Sequence, residues 1–158
     1  MAQKQDKSHA GQVAQNKKAF FNYELVEKVE AGIALVGTEV KSLRNKDCEL
    51  DASYARILGE EVWLIGCKIA PYAQAAENAN HDPTRKRKLL LHKAQIKKIK
   101  TKLEQRGYTL VPLRVYFNDR GKAKCEIALA CGKRQYDKRQ KIQDKDQKRD
   151  LGRMKKYK

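Results

Sequence analysis

The chain predicts a mainly β fold: a six-stranded antiparallel β-barrel, about three flanking helices, and a basic C-terminal tail disordered when free. Three observations carry this. Apolar and polar residues alternate over much of 19–131, the period of half-buried strands. Two turn signals, Gly59-Glu60 and Asn118-Asp119-Arg120-Gly121, each sit between apolar runs, as in hairpins. Residues 132–158 hold twelve Lys or Arg against four Asp, with Ile142, Leu151 and Met154 as their only aliphatic side chains. So little apolar surface cannot offset an ordering entropy of roughly 1–2 kcal/mol per residue.

The elements follow in order. Residues 1–18 are polar, carry a net +3, and read as a flexible basic N-terminus. Phe21, Tyr23, Leu25, Val26 and Val29 fit a strand with one irregularity; Ala31-Gly32 breaks it, and 33–36 reads as a second, buried strand. Thr38 is placed to N-cap a short helix over TEVKSLR, where Val40 and Leu43 face one way. Residues 45–49 form a loop. Residues 52–58 and 61–69 form the first hairpin, with Val62, Leu64 and Ile65 competing for the core face. Residues 71–83 are loop. Leu89, Ile96, Ile99 and Leu103, spaced 7, 3 and 4 apart, mark one apolar face of a helix that Gly107 ends. Residues 109–117 and 122–130 form the second hairpin, Leu110, Val111, Leu113, Val115 and Phe117 opposing Cys125, Ile127 and Leu129. Closing such a sheet removes exposed edges, and an OB-like barrel is a common nucleic-acid-binding form of that solution. Periodicity leaves open whether face, loops or helices would touch RNA.

Charge narrows the partner. The chain carries a formal +17, concentrated in two blocks: nine bases without an acid between 85 and 102, and a net +8 in the tail. Residues 19–84 are mildly acidic. A field of that size concentrates polyanions, nucleic acid above all. A membrane surface fits less well, because no 18-residue apolar run exists. The N-terminus lacks an apolar signal region, which points to the cytoplasm. Cys48, Cys67, Cys125 and Cys131 have neither zinc-ligand nor disulfide-framework spacing, and read as reduced, partly buried thiols.

RKRKLLLHK, residues 85–93, sets four consecutive bases before an apolar helix face, with Lys93, Lys97, Lys100 and the Lys86–Arg87 pair on its solvent side. Lys-rich helices are ordinarily solvated faces. Nine uninterrupted bases repel one another, however, which favours a phosphate-bearing partner. In GTEVKSLR, Glu39 could act as a general base, but a carboxylate beside Lys41 and Arg44 at a helix N-terminus more commonly pairs charge. Glu30, before the Ala31-Gly32 break, caps backbone or accepts from a base edge. His9, His81 and His92 stand apart from any nucleophile, and there is no HExxH, Gly-rich phosphate loop or acidic cluster, so an enzyme is not expected. A general ribosome-associated OB-fold RNA-binding protein is the alternative these features leave.

Together, Asn16-Lys17-Lys18-Ala19, Glu30-Ala31-Gly32-Ile33, GTEVKSLR, RKRKLLLHK, Gly132-Lys133-Arg134 and Asp137-Lys138-Arg139 occur in the order seen in the small protein B family, the tmRNA-binding proteins of bacterial trans-translation, which this chain resembles over nearly its whole length. The resemblance implies an OB-type barrel, residues 19–131, that binds the tRNA-like domain of tmRNA. It implies support for alanylation by alanyl-tRNA synthetase and for delivery by elongation factor Tu, through tmRNA. It also implies a tail, residues 132–158, that becomes helical in the decoding centre and empty mRNA channel of the small ribosomal subunit. No cofactor, metal, membrane or DNA is implied. Asn16, Glu30 and Leu90 or Leu91 match family positions associated with tmRNA binding; Lys17, Lys18, Lys41, Arg44, Arg85 and Lys88 are added here on charge. Lys133, Arg134, Asp137, Lys138 and Arg139 match the tail's ribosome-directed motifs, and Tyr136 falls where a flat ring can stack on a base. Met154 and Lys155 carry over from a terminal Ile-Met-Lys motif; Arg153 stands where some members carry Ile.

Overall fold

The computed structural model describes residues 11–105 and 107–133, with 142–143 and 146–147; most of the expected tail lies outside the described residues. Between residues 11 and 133, the described strands and α-helices run in the order β1 (Gln12–Gln15), α1 (Lys17–Asn22), β2 (Tyr23–Ile33), α2 (Gly37–Arg44), β3 (Cys48–Glu49), β4 (Tyr54–Leu58), β5 (Glu61–Ile65), β6 (Lys68–Ile69), β7 (Arg87–Leu90), α3 (Lys93–Leu103), β8 (Tyr108–Phe117) and β9 (Ala123–Gly132). Six of these strands close a ring. From β8 the order runs β4, β5, β7, β2, β9, and β9 returns to β8. Every pairing is antiparallel, as the expected barrel requires. β1 adds outside β8, and β3 with β6 makes a separate two-stranded ribbon.

Closure is uneven. The β8–β9 and β2–β9 ladders are long, whereas β4 meets β8 through Ala55–Leu110 alone and β2 meets β7 only at Gly32–Leu90 and Ile33–Leu89. Val62, Leu64, Leu89, Leu110, Val115, Cys125, Ile127 and Leu129 fill the interior, each fully buried aliphatic side chain contributing about 1.5–3 kcal/mol. Ile96 and Ile99 of α3 add to the same core. A second cluster, Val111, Leu113, Ala128 and Ala130, packs with Ala19 of α1. β8 therefore buries both faces, and a register shift between Pro112 and Arg114 changes its phase. All four cysteines are free thiols, and Cys67 and Cys125 are buried. Among the described residues no helix is long and apolar enough to cross a membrane.

Local chemistry explains where the structure departs from periodicity. Residues 12–15, expected in a flexible terminus, are a strand, because β8 offers them a free edge. Phe21 belongs to α1, not to the first strand. Asn16 caps that helix, its Oδ1 accepting from the Ala19 N–H at 3.0 Å, and this overrides the alternation of Phe21 with Tyr23. β2 then passes through Ala31-Gly32 without a break, so no second strand forms at 33–36. The one irregularity falls at Val26, where a bulge between Leu25 and Glu27 leaves Val26 exposed. Gly32 is needed for close approach: a Cβ there would lie 3.2 Å from Leu90 Cβ. Thr38 does not cap α2; Glu39 Oε2 accepts the Val36 N–H at 2.9 Å, while Thr38 Oγ1 bonds His81 Nδ1 at 2.9 Å. Residues 48–49, expected as loop, form β3. The largest correction concerns the basic segment. Residues 87–90 are a strand, not a helix, and Leu89 faces the barrel interior from β7.

Candidate nucleic-acid interface

The nine bases of 85–102 separate into two classes. Arg87, read from the sequence as solvent-facing, is 0 % exposed. As part of a β-strand it lies on the same face as Leu89, and a buried guanidinium must be paired. Its Nε donates to Glu39 Oε1 at 2.9 Å, and its other nitrogens donate to the carbonyls of Cys67 (2.5 Å), Pro83 (3.0 Å) and Arg85 (3.1 Å). Arg85 grips the same carboxylate, Nε to Oε1 at 3.0 Å and an outer nitrogen to Oε2 at 2.6 Å. Burial opposes ionisation of Glu39. The hydrogen bonds from Arg85 and the Val36 N–H, with the charge of Arg87, overcome it and hold the carboxyl below its usual range. Glu39 is thus the pin between α2 and β7, not a general base. Lys88 pairs Glu61, and Glu27 takes both Lys98 (2.7 Å) and Lys102. Lys86, Lys93, Lys97 and Lys100 have no ion pair among the described residues.

Where β2, α2, β7 and the β8–β9 turn meet, an open groove of about 450 Å³ is lined by Ile33, Leu35, Val40, Leu90, Phe117 and Lys124. Leu90 is 52 % exposed. Arg44 stands over the Phe117 ring at 5.8 Å, a contact worth about 0.5–1 kcal/mol where exposed. At the rim, Lys124 Nζ lies 3.5 Å from Glu30 Oε1, and Tyr116 donates to Glu30 Oε2. Burial, then that hydrogen bond, pushes the Tyr116 hydroxyl above its usual range, so it remains a donor at neutral pH. An apolar floor with a flat ring, rimmed by Arg44, Lys122, Lys124 and a carboxylate, suits an unstacked base and its flanking phosphates.

Of the positions singled out for tmRNA, Leu90 lines this groove, while Glu30 and Arg44 reach it through Lys124 and Phe117. Lys88, Leu90 and Leu91 line a neighbouring depression of about 430 Å³ with Lys93. Lys41 lies over the Tyr72 ring at 5.2 Å. Asn16 is 2 % exposed. Besides capping α1, it donates from Nδ2 to the Leu50 carbonyl at 3.2 Å and from its backbone N–H to that of Leu113 at 2.7 Å. Its side chain holds α1 in place. Lys17 is exposed on α1, and Lys18 pairs Asp51 at 2.9 Å. None of these three lines the groove. Of the tail positions, Lys133 is described: its Nζ donates to the Phe20 carbonyl at 3.1 Å and its backbone N–H to that of Asn22 at 3.0 Å, tying the end of β9 to α1. Arg134, Tyr136, Asp137, Lys138, Arg139, Met154 and Lys155 lie outside the described residues.

Phe117, Tyr116 and Lys124 were not singled out from the sequence. Phe117 was assigned wholly to a core face, and its place at a strand end, where the face opens, was the available signal. Arg87 carried one too, since in KRKLL a period of two puts Arg87 with Leu89.

The comparisons with known proteins agree with one another. The family described as SmpB protein matches residues 13–157. The SsrA-binding protein of Sulfurihydrogenibium sp. (strain YO3AOP1) is 57 % identical over 139 residues, 88 % of this chain and 90 % of that one. That of Syntrophobacter fumaroxidans is 51 % identical over 144 residues, 91 % and 88 % of the two chains. A solved structure described as "tmRNA-SmpB: a journey to the center of the bacterial ribosome" superposes with a TM-score of 0.65 at 48 % identity, covering 82 % of this chain and 93 % of the other.

Proposed function

The chain belongs to the SmpB protein family, and from that premise we propose that it is the tmRNA-binding protein of trans-translation, the rescue of stalled ribosomes. The observation that carries this reading is the groove itself: Leu90, Phe117, Arg44, Lys124 and Glu30 converge on an open apolar floor at the edge of the barrel core. There the protein grips the tRNA-like domain of tmRNA, Phe117 and Leu90 taking an unstacked base, Arg44 and Lys124 the phosphates, and Glu30 a base-edge donor. Holding that domain supports its alanylation by alanyl-tRNA synthetase and its delivery by elongation factor Tu, both acting through the bound RNA in the cytoplasm.

The tail, residues 132–158, acts separately, at the decoding centre and mRNA channel of the small subunit. A cationic chain without core residues enters a narrow phosphate-lined channel that a globule cannot, and its ordering cost is met only where mRNA is absent. Tyr136 stacks at the entrance, and Lys138 and Arg139 pair with ribosomal RNA.

The test is co-purification of the full-length chain at moderate salt, followed by sequencing of the bound RNA. tmRNA dominates if the reading holds. Ribosomal RNA in proportion to its abundance would instead make this a general ribosome-associated RNA-binding protein. For the tail, long mRNA preloaded in the channel should abolish its protection on the small subunit.

A further inference from the structure

The groove does not end at Leu90. Leu90 also borders the depression holding Lys88, Leu91 and Lys93. Lys93 and Ile96 then border a third, of about 250 Å³, with Lys97, Lys100 and Gly59. Lys100 and Gly59 border a fourth, of about 600 Å³, lined by Tyr54, Arg56 and Tyr108. Each depression shares a residue with the next, so the four adjoin one another as a track from the groove along α3. On that track Lys88 pairs Glu61 and Lys124 meets Glu30, whereas Lys93, Lys97 and Lys100 of α3 have no ion pair among the described residues; Lys98 and Lys102 of the same helix share Glu27. Lys93, Lys97 and Lys100 follow a 4-then-3 spacing, which keeps them on one side of a helix. Their mutual repulsion goes unrelieved within the described fold. Glu60 and Glu104 border the track without pairing any of the three. At the far end Tyr54 is 46 % exposed beside Arg56, an aromatic face next to a cation.

We infer that Lys93, Lys97 and Lys100 form a rail for the phosphate backbone of the RNA seated in the groove, with Tyr54 as a stacking platform at its end. The inference rests on the proposed tmRNA reading and adds a second contact region to it. RNA is favoured over an acidic protein because the track is long and shallow and adjoins a base-sized apolar groove, which a peptide of carboxylates would not fill.

The experiment uses full-length protein and the tRNA-like domain of tmRNA, titrated between about 50 and about 200 mM KCl. Replacing all three lysines (Lys93→Gln, Lys97→Gln, Lys100→Gln) should weaken binding and make the salt slope shallower by about two to three, at roughly 0.7–0.9 per lost phosphate contact. The urea midpoint of this variant should match the wild type. The matched control, Lys98→Gln with Lys102→Gln, removes charge from the face paired with Glu27 and should leave the slope unchanged. Tyr54→Ala should weaken binding with no change in slope. An unaltered slope in the triple variant, or the same change per charge in the control, overturns the rail. So does equal sensitivity of poly-glutamate binding to the triple substitution, which would mark a surface for acidic partners. A wild-type chain that fails to bind this RNA brings down the groove reading first; a chain that binds it with an unaltered slope in the variant brings down the rail alone.

Discussion

Arg87 and Lys97 come from one run of nine bases, yet one is sealed in the protein and the other stands in solvent. Arg87 meets Glu39 on α2 and three carbonyls. Lys97, on the outer side of α3, meets no carboxylate among the described residues. A basic segment is therefore not a unit. Acids contributed by distant elements divide it into charges that hold the fold and charges left for a partner.

That division can be tested hardest at the buried end. Removing Arg87 (Arg87→Ala) takes away one of the two arginines on buried Glu39 and leaves three carbonyls without their donor, and should cost about 3–5 kcal/mol of unfolding free energy, read from urea denaturation. If much of that is the penalty of a buried charge short of a partner, adding Glu39→Gln should recover part of it, and no recovery would mean the lost packing dominates. Acid should act in the same direction. Glu39 ionises more readily folded than unfolded, so its contribution is present at neutral pH and is lost as pH falls through its lowered folded value.

The groove sits at the opposite pole of the comparison. Leu90→Ala or Glu30→Ala should each raise the Kd for the tRNA-like domain by about tenfold, or about 1.4 kcal/mol, while the urea midpoint stays within error, because both side chains are exposed. A fall in stability matching the fall in affinity would return Leu90 to the core. A chain ending at Lys133 keeps β9 and its tie to α1. It should bind this RNA but fail to support tagging on stalled ribosomes, and joint loss of both would refute separate roles for barrel and tail.

The smallest effect lies on the face of α3 paired with Glu27. Hydrogen bonds from Lys102 and Lys98 draw Glu27 down from 4.5 to about 2. Its support for the fold is complete above about 4.5 and disappears as pH falls through about 2. Wild type and Glu27→Gln should therefore differ in thermal midpoint at neutral pH and converge at the acid end, and high salt should shrink the difference, as for any exposed pair.

Much of the barrel was legible because its signals are local. Turn residues at 59–60 and 118–121 and the apolar runs that flank them, 109–117 and 122–130 among them, need no distant partner to be read. The errors arose where two local signals competed. Asn16 as a cap outweighed the alternation of Phe21 with Tyr23, and the spacing of Leu89 to Ile96 imitated a helix across what is a strand, a turn and a helix. The cap at Asn16 and its bond to the Leu50 carbonyl, 34 residues away, are a structural role that the motif alone does not show.

By itself the sequence determined the strand-rich fold, both hairpins and the excess of positive charge, since periodicity, turn chemistry and charge are properties of neighbours along the chain. Only the tertiary structure decided which charges are free. Glu39 lies 46 and 48 residues from the arginines it holds, and Glu27 lies 71 and 75 from its lysines. The ring closure that brings them together comes from long-range pairing, to which no local pattern points.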